Sequence, residues 1–306
     1  MKKNKKIAAI DIGSHNCRLM VVEKSAGRKK VIFNHSKPTN LIKNLSFNNE
    51  FDSENISKTL NCLIFFKRKI DEFEISDYRC VATEACRVVI NPEFFLKKVR
   101  QTSGLNVDII SSEEEARLCL KSCKVHLKKI KQFGVLFDIG GGSTEVTIFE
   151  PDSINLKTTS ISYGVINLKE KIQIYGRDYV KKKISDHFSQ FYNQHKNLSD
   201  KFVSIGSCST MTTLCSVFKN LPFYNPAKIE GSEMSREQVI NTINYVNKLS
   251  ASDLRSHTCI KEKYKLLKSG IEILLFIMKI FPIEKIIITH KGLRDAIIDE
   301  LWNLNY

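Results

Sequence analysis

At 306 residues and 42% apolar content, the chain has the length of two domains of about 100–200 residues each, with enough apolar side chains to give both a core. It contains no run of about 18 apolar residues, and the opening MKKNKKIAAIDIG turns polar after a short apolar stretch, so neither a membrane span nor a signal peptide is expected and the expected location is cytoplasmic. Nine cysteines without a CxxC pair argue against a zinc site or a disulfide scaffold, and a net charge of +15 admits three sources: a polyanionic substrate, a Lys-, Ile- and Asn-rich composition, or solvated faces such as Lys128, Lys129 and Lys131. Nucleic acid has little weight, because it rests on charge alone.

Residues 7–23, IAAIDIGSHNCRLMVVE, have the grammar of a strand, a tight Gly/Ser/Asn turn and a second strand, hence a β-hairpin whose first strand closes on Asp11. Apolar spacing predicts a helix over 53–71 and a short strand over 78–82. Thr83 caps a helix carrying Glu84 and Arg87, Asn91-Pro92-Glu93 starts another with Asn as its cap, and Gly104 stops it. A strand over 105–110 leads to Ser111 and Ser112, which precede Glu113, Glu114 and Glu115 and open a helix through Leu127 that bridges two lobes. Residues 134–150, GVLFDIGGGSTEVTIFE, then repeat the hairpin grammar. A strand over 155–163, helices near 179–192, 211–218, 236–249 and 264–281, a β-rich run over 285–289 and a last helix over 294–304 complete the chain.

The two hairpins superpose in one frame, Asp11 on Asp138, Ile12 on Ile139, Gly13 on Gly140 and Glu23 on Glu150. A duplication explains this, and the alternation of strands and helices makes an α/β protein of two related lobes, 1–126 and 127–306. Gly13 and the run Gly140, Gly141 and Gly142 can bring backbone N–H groups close to an anion. Three consecutive glycines exceed what a two-residue hairpin turn needs, which favours close approach to a ligand over a plain turn. Taken singly, Asp11 or Asp138 reads as a loop-capping carboxylate and Glu145 as an exposed strand residue; two copies in the same frame reverse that preference. Ser112 and Glu115 also spell an S-x-x-E capping box, and Arg87 also reads as a surface ion pair, so both readings stand for these residues.

Tandem Asp-Ile-Gly hairpins resemble the superfamily of acetate and sugar kinases, actin and heat-shock chaperone ATPases. The stretches AAIDIGSHNCRL, VATEACRVVINPEFF, ISSEEEAR, FDIGGGSTEV, GSCSTMTTL and GLRDAII look like successive motifs of the exopolyphosphatase and guanosine pentaphosphate phosphohydrolase (Ppx/GppA) family, in that family's order, from residue 8 to residue 298. The resemblance implies two duplicated actin-like (ribonuclease H-like) ATPase-type lobes, each a mixed sheet flanked by helices, with substrate in the interlobe cleft. The chain matches the short two-domain form, in which helix 294–304 packs back on lobe one. The implied activity is magnesium-dependent removal of the terminal phosphate from polyphosphate or guanosine pentaphosphate, with manganese as an alternative cation. On the matching positions the resemblance implies Glu115 as the base acting on the attacking water and Arg87 against substrate phosphate. It implies Asp11, Asp138 and Glu145 as metal ligands, with the two aspartates meeting across the cleft, and Gly13, Ser14, His15, Asn16, Thr83, Gly140, Gly141, Gly142, Ser143 and Thr144 as phosphate-binding residues.

The chain also departs from the family's pattern. TNLIKNL (39–45) stands where relatives read like VRLGEGL, which predicts a reshaped loop. Ser209 replaces a usual Gly in GSCST, where a positive φ would be uncomfortable, and His15 stands where Asn is common. Two other functions stay open: a polyphosphate or alarmone-binding regulator without turnover, and a small-molecule kinase. The oligomeric state is open as well, with a homodimer through exposed helices as one arrangement.

Overall fold

The computed structural model describes residues 5–25, 28–128, 130–150, 156–199 and 201–305. They divide into two compact units, Met1–Leu118 with Leu293–Tyr306, and Cys119–Gly292. No described helix is long and apolar enough to cross a membrane.

The first unit contains β1 (Lys6–Ile12), β2 (Asn16–Ser25), β3 (Arg28–Pro38), α1 (Leu45–Asn48), α2 (Ser53–Glu72), β4 (Asp77–Ala82), α3 (Glu84–Val88), α4 (Pro92–Ser103), β5 (Asp108–Ile109) and most of α5 (Ser112–Ser122). Its sheet has the order β3-β2-β1-β4-β5, with β1 antiparallel to β2 and parallel to β4. The central strand β1 is buried from Ile7 to Ile12, which is why its sequence is a continuous apolar run rather than an alternation. Helix α2 turns Cys62, Leu63, Phe66 and Ile70 into the core and is capped by Asp52, whose side chain accepts from Glu54 N.

The second unit contains α6 (Lys124–Leu127), β6 (Gly134–Ile139), β7 (Thr144–Phe149), β8 (Leu156–Ile161), α7 (Asn167–Tyr175), α8 (Arg177–His195), β9 (Phe202–Gly206), α9 (Ser209–Phe218), α10 (Pro226–Ile229), β10 (Glu233–Ser235), α11 (Arg236–Lys248), α12 (Ala251–Ser256), α13 (Tyr264–Ile280) and β11 (Ile283–Ile288). Its sheet has the order β10-β11-β9-β6-β7-β8. The segment β8-β7-β6-β9 repeats β3-β2-β1-β4, two antiparallel pairings followed by a parallel one. The duplication therefore holds at the level of topology, and both sheets are mixed.

Helix α14 (Leu293–Asn305) lies on β1, β2 and β4 of the first unit. Arg294 Nη1 donates to Asn34 Oδ1 at 2.8 Å, Asp299 pairs with Lys29, and Glu300 with Arg117 at 2.9 Å.

Several elements differ from expectation. The helix expected through Leu127 breaks at Cys123, because Ser122 Oγ and Cys123 Sγ both donate to Cys119 O in place of continued helix bonds. The units divide at Leu118/Cys119, within α5, rather than at 126/127; Cys119 Sγ donates to Asp138 Oδ2 at 3.7 Å and His126 Nε2 pairs with Glu230 Oε1 at 2.6 Å. The strand over 105–110 shrinks to the Asp108–Ile109 pairing. Of the strand over 155–163, Asn155 lies outside the described residues, as does Lys129 of the lysine run. Asn91 makes no side-chain cap, whereas Gly104 ends α4 at φ 72° as the stop signal requires. All nine cysteines are buried thiols.

Candidate active site

Each unit carries one hairpin turn, built the same way. In the first, Gly13 N donates to Asn16 O at 3.0 Å; in the second, Gly140 N donates to Ser143 O at 2.9 Å. A Cβ on Gly13 would meet Asn16 O at 3.0 Å and one on Gly140 would meet Ser143 O at 3.2 Å, so both turns are tight and a side chain there makes the neighbour give by a few tenths of an ångström.

Behind the first turn lies the 39–45 loop. Thr39 N and Asn40 N both donate to His15 O at 2.9 Å, Ile42 N donates to Ser14 O at 3.2 Å, and His15 Nδ1 pairs with Asn40 Oδ1 at 2.6 Å. The loop thus holds the carbonyls of Ser14 and His15. Asn40 (φ 53°) and Asn44 (φ 67°) adopt the left-handed conformation, which asparagine tolerates better than most residues. Ser14 Oγ is buried and has no hydrogen-bond partner among the described residues.

Behind the second turn lies the 162–167 segment. Gly140 O accepts from Val165 N and Gly141 O from Ile166 N, both at 2.9 Å, and Gly142 O accepts from Asn167 Nδ2 at 2.8 Å. In a trans peptide the following N–H points opposite the carbonyl, so the N–H groups of Gly141, Gly142 and Ser143 are directed away from this segment as a row of donors. Gly164 makes the packing possible, since a Cβ there would lie 2.4 Å from Gly141 C. Thr144 needs a correction: it is fully buried and its hydroxyl donates to Tyr163 O at 2.7 Å, so it fastens the supporting segment instead of facing a phosphate.

The carboxylates differ between the turns. Asp11, 3% exposed, stands opposite Arg18 in the strand register, and Arg18 Nη1 lies 2.8 Å from Asp11 Oδ2. A second arginine, Arg294, is close enough for its charge to be felt by the Asp11–Arg18 pair; burial first, then Arg18, depress its pKa. In the other hairpin, the position opposite Asp138 is Glu145, which accepts from Ser160 Oγ at 2.8 Å. Asp138 also lies near the Cys208 thiol, whose pKa is pushed up to about 12, first by burial and then by that carboxylate. Among the described residues no group of three or more His, Cys, Asp or Glu side chains is arranged to hold a metal ion.

Glu115 and Arg87 come together in the first unit. Ser111 rather than Ser112 caps α5, its Oγ accepting from Glu114 N at 3.1 Å, so the Ser112–Glu115 capping box is not formed. Glu115 Oε2 instead lies 2.9 Å from Arg87 Nη1, with side-chain exposures of 15% and 17%. That removes the surface-ion-pair reading of Arg87 as well. Thr83 occupies the cap position of α3 without a side-chain cap, and its backbone N–H donates to Ile12 O at 3.4 Å, joining α3 to the end of β1.

In the GSCST loop, Ser209 is the first residue of α9 and is not among the positive-φ residues, so it is as comfortable there as glycine. Ser207 Oγ donates to Lys291 O at 2.6 Å, and Thr210 packs where a Cβ on Gly270 would come within 2.0 Å of its Oγ1. Sequence reasoning gave no role to Arg18 or Arg294. The signal for Arg18 was available: it holds the frame position that Glu145 holds in the second copy.

A sequence model described as the Ppx/GppA phosphatase family matches residues 20–304. Among curated relatives, a bifunctional 3-dehydroquinate synthase/phosphatase of Fusobacterium nucleatum is 27% identical over 276 residues, 83% of this chain and 40% of the relative. A guanosine-5'-triphosphate,3'-diphosphate pyrophosphatase of Photobacterium profundum is 25% identical over 306 residues, 97% of this chain and 59% of the relative. The chain therefore spans about half the length of the curated relatives it matches. A crystal structure of the Aquifex aeolicus Ppx/GppA family member superposes with TM-score 0.78 at 26% identity, covering 99% of both chains. That of an exopolyphosphatase from Cytophaga hutchinsonii superposes with TM-score 0.83 at 16% identity over 98% of both, a likeness of fold.

Proposed function

Because the chain belongs to the Ppx/GppA phosphatase family, we propose that it removes the terminal phosphate from inorganic polyphosphate or from the triphosphate end of a guanosine alarmone. The observation that carries this reading is the enclosed Arg87–Glu115 pair, an anion-binding cation and a candidate base at contact distance. The Photobacterium relative, named as a pyrophosphatase of this kind, and the Aquifex structure support it.

Phosphoanhydride hydrolysis needs charge neutralisation on the transferred group, an in-line water and a group that orients that water. Arg87 binds a phosphate oxygen through its guanidinium. In the second unit the N–H row of Gly141, Gly142 and Ser143 is suited to phosphate oxygens; in the first, the hydroxyl of Ser14 offers a further contact and Arg18 and Arg294 add positive charge beside the turn. Glu115 takes the water proton.

Asp138 and Glu145, opposite each other in register, fit a hard cation of the magnesium type, which commonly takes one or two protein carboxylates and fills its remaining positions with water and phosphate oxygens. Asp11 fits less well, since Arg18 already engages it. A magnesium or manganese ion held there would supply charge neutralisation to a phosphate bound at the second turn.

The test is phosphate release measured side by side from long polyphosphate, tripolyphosphate, guanosine pentaphosphate and ATP with Mg²⁺. Release from the first three with little from ATP is expected. No release from any of them sinks the reading, and a Glu115→Gln variant as active as wild type removes the assigned base.

A further inference from the structure

At the junction of α7 and α8 the second unit carries a row of cationic and aromatic side chains that the phosphohydrolase reading does not use. Lys171 Nζ donates to Ser162 O and stands 4.4 Å from the centre of the Tyr163 ring. Tyr175 lies four residues further along α7, on the same face. Gly176, at φ 83°, turns the chain into α8 and brings the Tyr175 and Tyr179 rings to 5.5 Å at an interplanar angle of 38°. Lys183, one turn beyond Tyr179, holds its Nζ 5.5 Å from the centre of that ring. The order is cation, ring, ring, cation.

The tyrosines lie outside the core. Helix α8 buries Val180, Ile184, Phe188 and Phe191, whereas Tyr175 and Tyr179 stay 53% and 47% exposed. Residues 167–186 hold six lysines and arginines against three acidic residues, which favours an anionic partner. Charge alone would suit any polyanion, inorganic polyphosphate included. The rings separate the candidates: polyphosphate has no flat face to stack on a phenol, whereas a single-stranded nucleic acid offers one on every nucleotide, next to a phosphate. A cation over a ring at an exposed site is weakly held, so a base that takes the Tyr179 ring releases Lys183 to a neighbouring phosphate.

We propose that the α7–α8 face around Tyr175 and Tyr179 binds single-stranded nucleic acid, the tyrosines stacking on bases while Lys182 and Lys183, at i+3 and i+4 from Tyr179, meet the phosphates. The inference goes beyond the activity proposed above and does not depend on it.

The test is fluorescence anisotropy with a labelled single-stranded oligodeoxynucleotide of mixed sequence, on the full chain without divalent cation, with a melting curve for each variant. Wild type binds at low salt. Affinity falls about tenfold or more in Tyr175→Ala/Tyr179→Ala, the loss of at least one base stack, and stays within about threefold of wild type in Tyr175→Phe/Tyr179→Phe, which keeps the rings. Lys182→Ala/Lys183→Ala flattens the slope of log affinity against log salt by about 1.4, the share of two phosphate contacts on a single strand. If the tyrosine-to-alanine pair binds the strand as wild type does while the lysine pair still weakens it, the face is a general polyanion surface open to polyphosphate, and the proposal is overturned. A wild type that does not bind the strand overturns it as well. Should the alanine pair melt early, the single variants Tyr175→Ala and Tyr179→Ala take its place, with a loss expected in each.

Discussion

The hairpin at residues 7–23 and its copy at 134–150 share a turn closed by the same backbone hydrogen bond, at 3.0 and 2.9 Å, yet carry opposite charge at the same cross-strand position. Opposite Asp11 stands Arg18; opposite Asp138 stands Glu145. With Arg294 nearby, the first turn sets two arginines beside Asp11, whereas the second sets two carboxylates beside a row of outward N–H groups. A duplicated backbone conserves how the turn is closed. A single strand position, invisible to the fold, decides what else each turn attracts.

That division breaks most directly at Glu145. Glu145→Gln is expected to lower Mg²⁺-supported phosphate release about 10²- to 10³-fold, because a bound cation contributes several kcal/mol to the transition state. Asp11→Asn, whose carboxylate is already engaged by Arg18, should lose about tenfold, the scale of one charged contact. Equal losses in a magnesium titration of the two variants end the proposed division of labour.

The turns should also differ in their tolerance of a methyl group. Gly164→Ala drives a Cβ to 2.4 Å from Gly141 C, so backbone must move; a stability loss of about 1–3 kcal/mol and a collapse of activity are expected. Gly13→Ala, at 3.0 Å from Asn16 O, should cost less than about 1 kcal/mol. Thermal melting of the pair checks the order. If Gly13→Ala is the worse, support from the 162–167 segment is not what shapes the second turn.

Arg18→Ala should raise KM about tenfold with kcat nearly kept, consistent with a charge-assisted contact made before the transition state. The rise should shrink at high salt, because the side chain is 39% exposed. A kcat effect without a KM effect would assign Arg18 to the chemical step instead. The smallest change expected is Asn44→Gly: at φ 67° asparagine is already tolerated, so stability should shift by less than about 1 kcal/mol and phosphate release not at all.

The extent of what could be read from sequence follows the range of each signal. The hairpins, α2, α9, α11, α13 and α14 were legible because periodicity and turn residues are local. Strand β3, with its mostly exposed pattern, and the helix α7 gave no such signal and went unread. The break at Cys123 depended on side chains competing for a carbonyl one turn back, which periodicity does not register. In the 39–45 loop, two asparagines take left-handed conformations that the apolar pattern does not signal.

By itself, the sequence determined the duplication, the α/β class and the residue types a phosphate site requires, since these rest on neighbours along the chain. Tertiary structure alone decided the partners: Glu115 with Arg87 rather than with Ser112, Arg87 held by Glu84, Asp11 answered by Arg18, and the glycine carbonyls turned onto the 162–167 segment. Charge and hydrogen bonding act through distances of about 3 Å in space. Separation along the chain does not specify those distances until the sheets have set the register.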